Sequence, residues 1–218
     1  MPTVEFDPKN FVPYRKVWEL ITASGIELYY KLFWARLTIT GRENIPPKGV
    51  LLIVGNHLSN WDPPLLVVAT RRPMGFVAKE ELFERPRFGK LITFYGAISV
   101  KRDKPEKTTF KSVKKIFETG WSVAMFIEGT RSKTPGVMGR PHLGAAYFAR
   151  ANKVPILPVG IVGTNEKGGH AYLHIGKIIE PSKDLEETTW RIMESLSELT
   201  GYKIESRELA NDHAASET

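Results

Sequence analysis

The chain has 218 residues, 42% hydrophobic and 25% charged, which suits one globular domain and excludes a disordered or low-complexity chain. A net charge of +7 and a pI near 9.5 favour an anionic partner: nucleic acid, a phosphorylated substrate or anionic lipid. With no cysteine, a thiol nucleophile, disulfides and thiolate metal sites are excluded.

Residues 1–10 are polar and proline-containing, and they lack the basic, apolar and small-residue pattern of a secretory leader. From 11 to 38, Phe11, Val12, Tyr14, Val17, Trp18, Leu20 and Ile21 are followed by Ile26, Leu28, Tyr29, Leu32, Phe33 and Trp34, with Arg15, Lys16, Lys31 and Arg36 interleaved. This predicts an amphipathic two-helix element, broken near Ser24-Gly25 and suited to a membrane interface. No apolar run reaches the ~18 residues of a transmembrane helix.

Residues 36–41 predict a strand and 41–49 a turn. Val50 to Val54 is an apolar run that predicts a buried strand. It breaks at Gly55-Asn56, and His57 follows. Asp62 stands before Pro63-Pro64, where Asp suits a helix cap and Pro the first helical turn. A helix is predicted over 63–70 and a short strand over 75–78. Helical pieces interrupted at Pro86 are predicted over 79–94, then a strand over 96–100 and a helix over 105–118. A buried strand over 122–127 precedes a Gly/Pro-rich loop and a helix over 142–151. The segment 154–162 reads as a strand, but Pro155 and Pro158 remove two ladder donors, so it is expected at an edge or with its N–H groups elsewhere. A further strand covers 171–179. A helix capped by Ser182 runs to about Leu199 and stops at Gly201, and the tail from 207 is polar.

Strands alternating with helices predict an α/β fold around a largely parallel sheet flanked by helices. Three parts are expected: a docking element at 1–38, the α/β domain at 39–206 and a polar tail at 207–218. Polar clusters recur after strands, where ligands bind in such sheets. His57 with Asp62 is the arrangement a general base needs. The carboxylate fixes the tautomer and steadies the imidazolium while the other ring nitrogen takes a proton.

Gly55-Asn56-His57-Leu58-Ser59-Asn60-Trp61-Asp62-Pro63 resembles the N-H-x-S-x-x-D-P block of the glycerolipid acyltransferase family. Three later segments resemble further blocks: Gly96 to Arg102, Phe126 to Ser132 and Val154 to Val159. The resemblance implies His57 and Asp62 as catalytic residues and Lys101, Arg102 and Arg131 as binders of a substrate phosphate. Glu128, Gly129 and Thr130 form the supporting loop. It implies acyl transfer from acyl-coenzyme A or acyl carrier protein to 1-acylglycerol 3-phosphate, giving phosphatidic acid, with no cofactor and no metal. The expected partners are an anionic membrane surface, the acyl carrier and a lysophospholipid, with the protein peripheral on the cytoplasmic face. Two departures stand out: Ile127 where the family has proline, and His142 where it often has a basic residue. Rival readings are the same chemistry on glycerol 3-phosphate or another lysolipid, and a non-catalytic binder of anionic lipid. A nucleic-acid binder is disfavoured, because no continuous basic patch or known motif is present.

Overall fold

The computed structural model describes residues 13–100 and 107–207. Its strands, in chain order, are β1 (Arg36–Thr40), β2 (Leu52–Gly55), β3 (Met74–Lys79), β4 (Ala97–Val100), β5 (Ser122–Phe126), β6 (Val137–Met138), β7 (Ile156–Val162), β8 (His170–Ile175) and β9 (Lys203–Ile204). The helices are α1 (Pro13–Phe33), α2 (Asp62–Thr70), α3 (Pro86–Phe94), α4 (Lys107–Glu118), α5 (Gly144–Asn152) and α6 (Leu185–Thr200). Among the described residues, seven strands form one sheet in the order β1-β8-β7-β2-β5-β3-β4. Five neighbouring pairs are parallel; β7 and β8 alone are antiparallel. The expected largely parallel sheet with flanking helices is therefore what the chain forms.

Strand β2 lies at the centre, buried on both faces, which is why its sequence is an unbroken apolar run. Its alternate residues feed two cores. Leu52 and Val54 pack with α4, α5 and α6, whereas Leu51 and Ile53 pack with α1 and α2.

Three sequence expectations need correction. First, α1 is one continuous helix through Ser24-Gly25, not two. Tertiary contacts overcome the roughly 1 kcal/mol helix penalty of glycine. Ser24 Oγ donates to the Leu20 carbonyl, Arg71 donates to Ser24 Oγ at 2.8 Å, and Arg71 also pairs with Glu27. Ala23 and Tyr30 are buried in the core shared with α2. The outer face stays exposed and apolar: Val17, Trp18, Ile21, Leu28, Tyr29, Leu32 and Phe33 are each more than half exposed.

Second, β7 is interior, between β2 and β8. The register makes its proline harmless. Pro158 lies opposite Gly176, just beyond the end of β8, and its carbonyl still accepts the Gly176 N–H, so the proline costs a single donor at the margin of that pairing. Third, α6 is capped by Asp184, whose carboxylate accepts the N–H groups of Glu186 and Glu187. Ser182 sits two residues earlier, and its hydroxyl accepts the Asp184 N–H and donates to the Asp184 carbonyl. Gly201 closes the helix at φ 71°, as expected.

Candidate active site

The site is built where β2 ends. Asn56 is fully buried, and its side-chain amide donates to the Ile161 carbonyl and accepts the Ile161 N–H, both at 2.8 Å. One amide side chain thus extends the β2–β7 ladder by a residue before the chain turns away. The turn delivers His57.

Four neighbours hold His57. Its N–H donates to Glu128 Oε1 at 3.2 Å, and its carbonyl accepts the Ser132 N–H at 2.7 Å. Its ring lies against Phe126, and Nδ1 stands 2.7 Å from Asp62 Oδ2. Asp62 is completely buried, while the His57 side chain keeps 18% exposure. Among the described residues nothing bonds Nε2, so the ring nitrogen opposite Asp62 has no competing partner. An imidazole held this way can accept a proton at Nε2.

Asp62 does not cap α2 as its place before Pro63-Pro64 suggested: it is the helix's first residue, Trp61 holds the capping position with no side-chain cap bond, and the carboxylate turns back to the His57 loop. Oδ2 accepts the N–H groups of Leu58 and Ser59 at 2.6 and 2.7 Å, besides the imidazole. Oδ1 accepts the hydroxyls of Ser59 at 3.2 Å and Thr164 at 2.5 Å. Both main-chain donors belong to the turn that carries His57, so one short loop holds the carboxylate against the imidazole. Trp61 is boxed by α1 and the residue after it: its ring centroid is 5.9 Å from Tyr29, 5.3 Å from Tyr30 and 5.4 Å from Trp34.

Glu128 is buried and works as a loop clasp. Besides the His57 N–H it accepts the Ser132 hydroxyl and the Gly139 N–H, each at 2.8 Å. Burial pushes its carboxyl above the ordinary 4.5, against the pull of these three hydrogen bonds and of the nearby His57. Gly129 adopts φ 60°, the left-handed turn that glycine tolerates best. Thr130 and Arg131 follow on the exposed rim, and Arg131 directly precedes the residue whose N–H holds the His57 carbonyl.

The structure thus brings His57 and Asp62 together and sets the Glu128–Arg131 loop beside them. Lys101 and Arg102 lie outside the described residues. His142 precedes α5, its N–H bonded to the Ile127 carbonyl, rather than opening the helix. Sequence reasoning missed Asn56, Ser59, Phe126 and Ser132 as supports, although all four lie inside the segments it singled out. Thr164 stands outside them, with no local signal.

The acyltransferase family model matches residues 36–162, more than half of the chain. A probable 1-acyl-sn-glycerol-3-phosphate acyltransferase of Mycoplasma genitalium is 33% identical over 167 residues, 72% of this chain and 59% of that protein. A 1-acyl-sn-glycerol-3-phosphate acyltransferase of Borreliella burgdorferi is 29% identical over 159 residues, 68% of this chain and 63% of that protein. The chain therefore spans roughly three-fifths of the length of these curated relatives. In fold it matches the crystal structure of the 1-acyl-sn-glycerophosphate (LPA) acyltransferase PlsC from Thermotoga maritima. The TM-score is 0.71 at 23% identity, covering 88% of this chain and 84% of the other. Together with the His57–Asp62 geometry at the end of the central strand, the family match leads to one conclusion: the chain belongs to the acyltransferase family.

Proposed function

We propose that the protein moves a fatty acyl group from an acyl thioester, on coenzyme A or acyl carrier protein, to the free hydroxyl of 1-acylglycerol 3-phosphate. The product is phosphatidic acid. The observation that carries this reading is the His57 Nδ1 to Asp62 Oδ2 contact of 2.7 Å, which leaves the opposite ring nitrogen without a hydrogen-bond partner among the described residues. The family membership and the names of the relatives point the same way.

In this mechanism Nε2 of His57 takes the hydroxyl proton as the acceptor oxygen attacks the thioester carbonyl. Asp62 balances the imidazolium. The tetrahedral intermediate then expels the thiolate, the C–S bond breaks, and the imidazolium returns the proton to sulfur. No acyl-enzyme forms. Arg131, with Lys101 and Arg102, holds the acceptor phosphate through charge-assisted hydrogen bonds and so places the hydroxyl. Glu128, Gly129 and Thr130 shape the loop that carries Arg131. The exposed apolar stripe of α1, in the 1–38 segment, seats the protein on an anionic membrane surface at the cytoplasmic face, where the acceptor lies.

The test is release of free thiol from an acyl-coenzyme A with and without lysophosphatidic acid. Acceptor-dependent release is expected, and His57→Ala should lower it by about 10²–10⁴-fold while the protein stays folded. Arg131→Ala should raise the acceptor KM. Thiol release that ignores the acceptor, or normal turnover in His57→Ala, would reject the reading.

A further inference from the structure

Thr164 lies two residues past the end of β7, on the connection to β8, and is completely buried. The resemblance blocks and the family match both end before it. Its hydroxyl donates to Asp62 Oδ1 at 2.5 Å, the shortest contact that carboxylate makes.

The two oxygens of Asp62 are served differently. Oδ2 takes the imidazole and two main-chain donors from its own turn. Oδ1 takes two hydroxyls, and that of Ser59 is 3.2 Å away and also accepts the Trp61 N–H. A carboxylate turns easily about its last single bond, so donors on one oxygen alone leave its plane loosely set. Thr164 supplies the donor that locks the plane and aims Oδ2 at the imidazole. Its own loop is anchored from outside the sheet. The Thr164 carbonyl accepts the Trp34 indole N–H at 3.4 Å, and the Trp34 carbonyl accepts the Gly168 N–H.

We infer that Thr164 is a positioning residue for the Asp62–His57 pair. The inference rests on the proposed role of that pair as carboxylate and general base. A hydroxyl on Oδ1 also stabilises the ionised carboxylate, so its loss makes the pair as a whole hold a proton more tightly. Other titratable groups facing the pair are Tyr30 from α1, Tyr202 beyond α6 and Glu128. Burial raises both phenols, Tyr30 to about 12, with Asp62 adding to each and Glu166 also raising Tyr202, so neither titrates with the pair. Glu128 is common to every variant compared.

Thr164→Val keeps the shape and removes the donor, and Thr164→Ser restores it. In the full-length protein, Thr164→Val should lower kcat by about tenfold or more, leave the acceptor KM within about twofold and raise the acid limb of the kcat profile by about one pH unit. Thr164→Ser should return both readouts towards wild type. Wild-type kcat and acid limb in Thr164→Val, a loss confined to KM, or equal impairment in Thr164→Ser would overturn the inference. If Thr164→Val does not fold, Thr164→Ala against Thr164→Ser is judged by the same outcomes. If the wild-type protein transfers no acyl group, the function reading fails, and Thr164 is still tested by NMR titration of the His57 imidazole. An upward shift in Thr164→Val supports the inference, and an unchanged titration overturns it.

Discussion

The imidazole of His57 lies nearly flat on the ring of Phe126, with centroids 4.0 Å apart and planes 10° from parallel. Phe126 is the last residue of β5, so the sheet itself supplies the floor for the ring, while Asp62 sets its rotation. Aromatic stacking of this kind contributes about 0.5–1.5 kcal/mol beyond simple burial. Phe126→Leu keeps apolar bulk and removes the flat face. Turnover is expected to fall by about three- to tenfold with a nearly unchanged melting temperature. Steady-state kinetics with a thermal melt decides it, and wild-type turnover would show that the stacking does not orient the ring.

Tyr30 supplies the opposite case. Its hydroxyl is buried and, among the described residues, has no hydrogen-bond partner. A desolvated, unpaired hydroxyl costs stability, on the order of 1–3 kcal/mol. Tyr30→Phe should therefore leave the protein as stable as wild type or more stable, by up to about 1 kcal/mol. Urea unfolding measures this; a clear loss of stability would mean that the hydroxyl does pair in solution.

Glu128 makes stability depend on pH. Because burial raises its carboxyl above 4.5 in the folded chain, the native state binds the proton more tightly than the unfolded one. The stability it contributes is full below the unfolded value and is lost as pH rises through the folded one. Glu128→Gln cannot titrate. The stability difference, wild type minus Glu128→Gln, should shrink as pH climbs above 4.5. Urea midpoints of both proteins across that range give the slope, and a difference that grows with pH would refute it.

The outer face of α1 gives a prediction about membranes. Trp18 and Leu32 are 58% and 65% exposed on a helix whose opposite side holds the domain. Changing both to Ser should weaken sedimentation with anionic vesicles by about tenfold or more, since each large apolar side chain buried in lipid contributes about 1.5–3 kcal/mol. Acyl transfer to a short-chain, monomeric acceptor should persist. Undiminished vesicle binding would assign docking to another surface.

Much of this architecture is legible in the sequence because local pattern and burial agree. Val50 to Val54 is apolar throughout since β2 has no exposed face, and Leu185, Ile192, Leu196 and Leu199 mark one side of α6. His57 and Asp62 were legible because they share one turn. What failed to show was decided by distant partners. The continuity of α1 depends on Arg71, far along the chain, gripping Ser24 and Glu27. The interior place of β7 depends on its pairing with β2, a strand far back in the chain. Thr164 meets Asp62 across a sequence separation of 102, and no neighbour in sequence announces it.

One oxygen of Asp62 collects the imidazole of residue 57 and the amides of residues 58 and 59. The count of residues between imidazole and acid is therefore a property of a closed ring of bonds, as rigid as a buckle with a single hole. Lengthening or shortening the segment by one residue would detach the acid from its own turn before it moved the imidazole. A working pair at any other separation would have to be folded differently from the start.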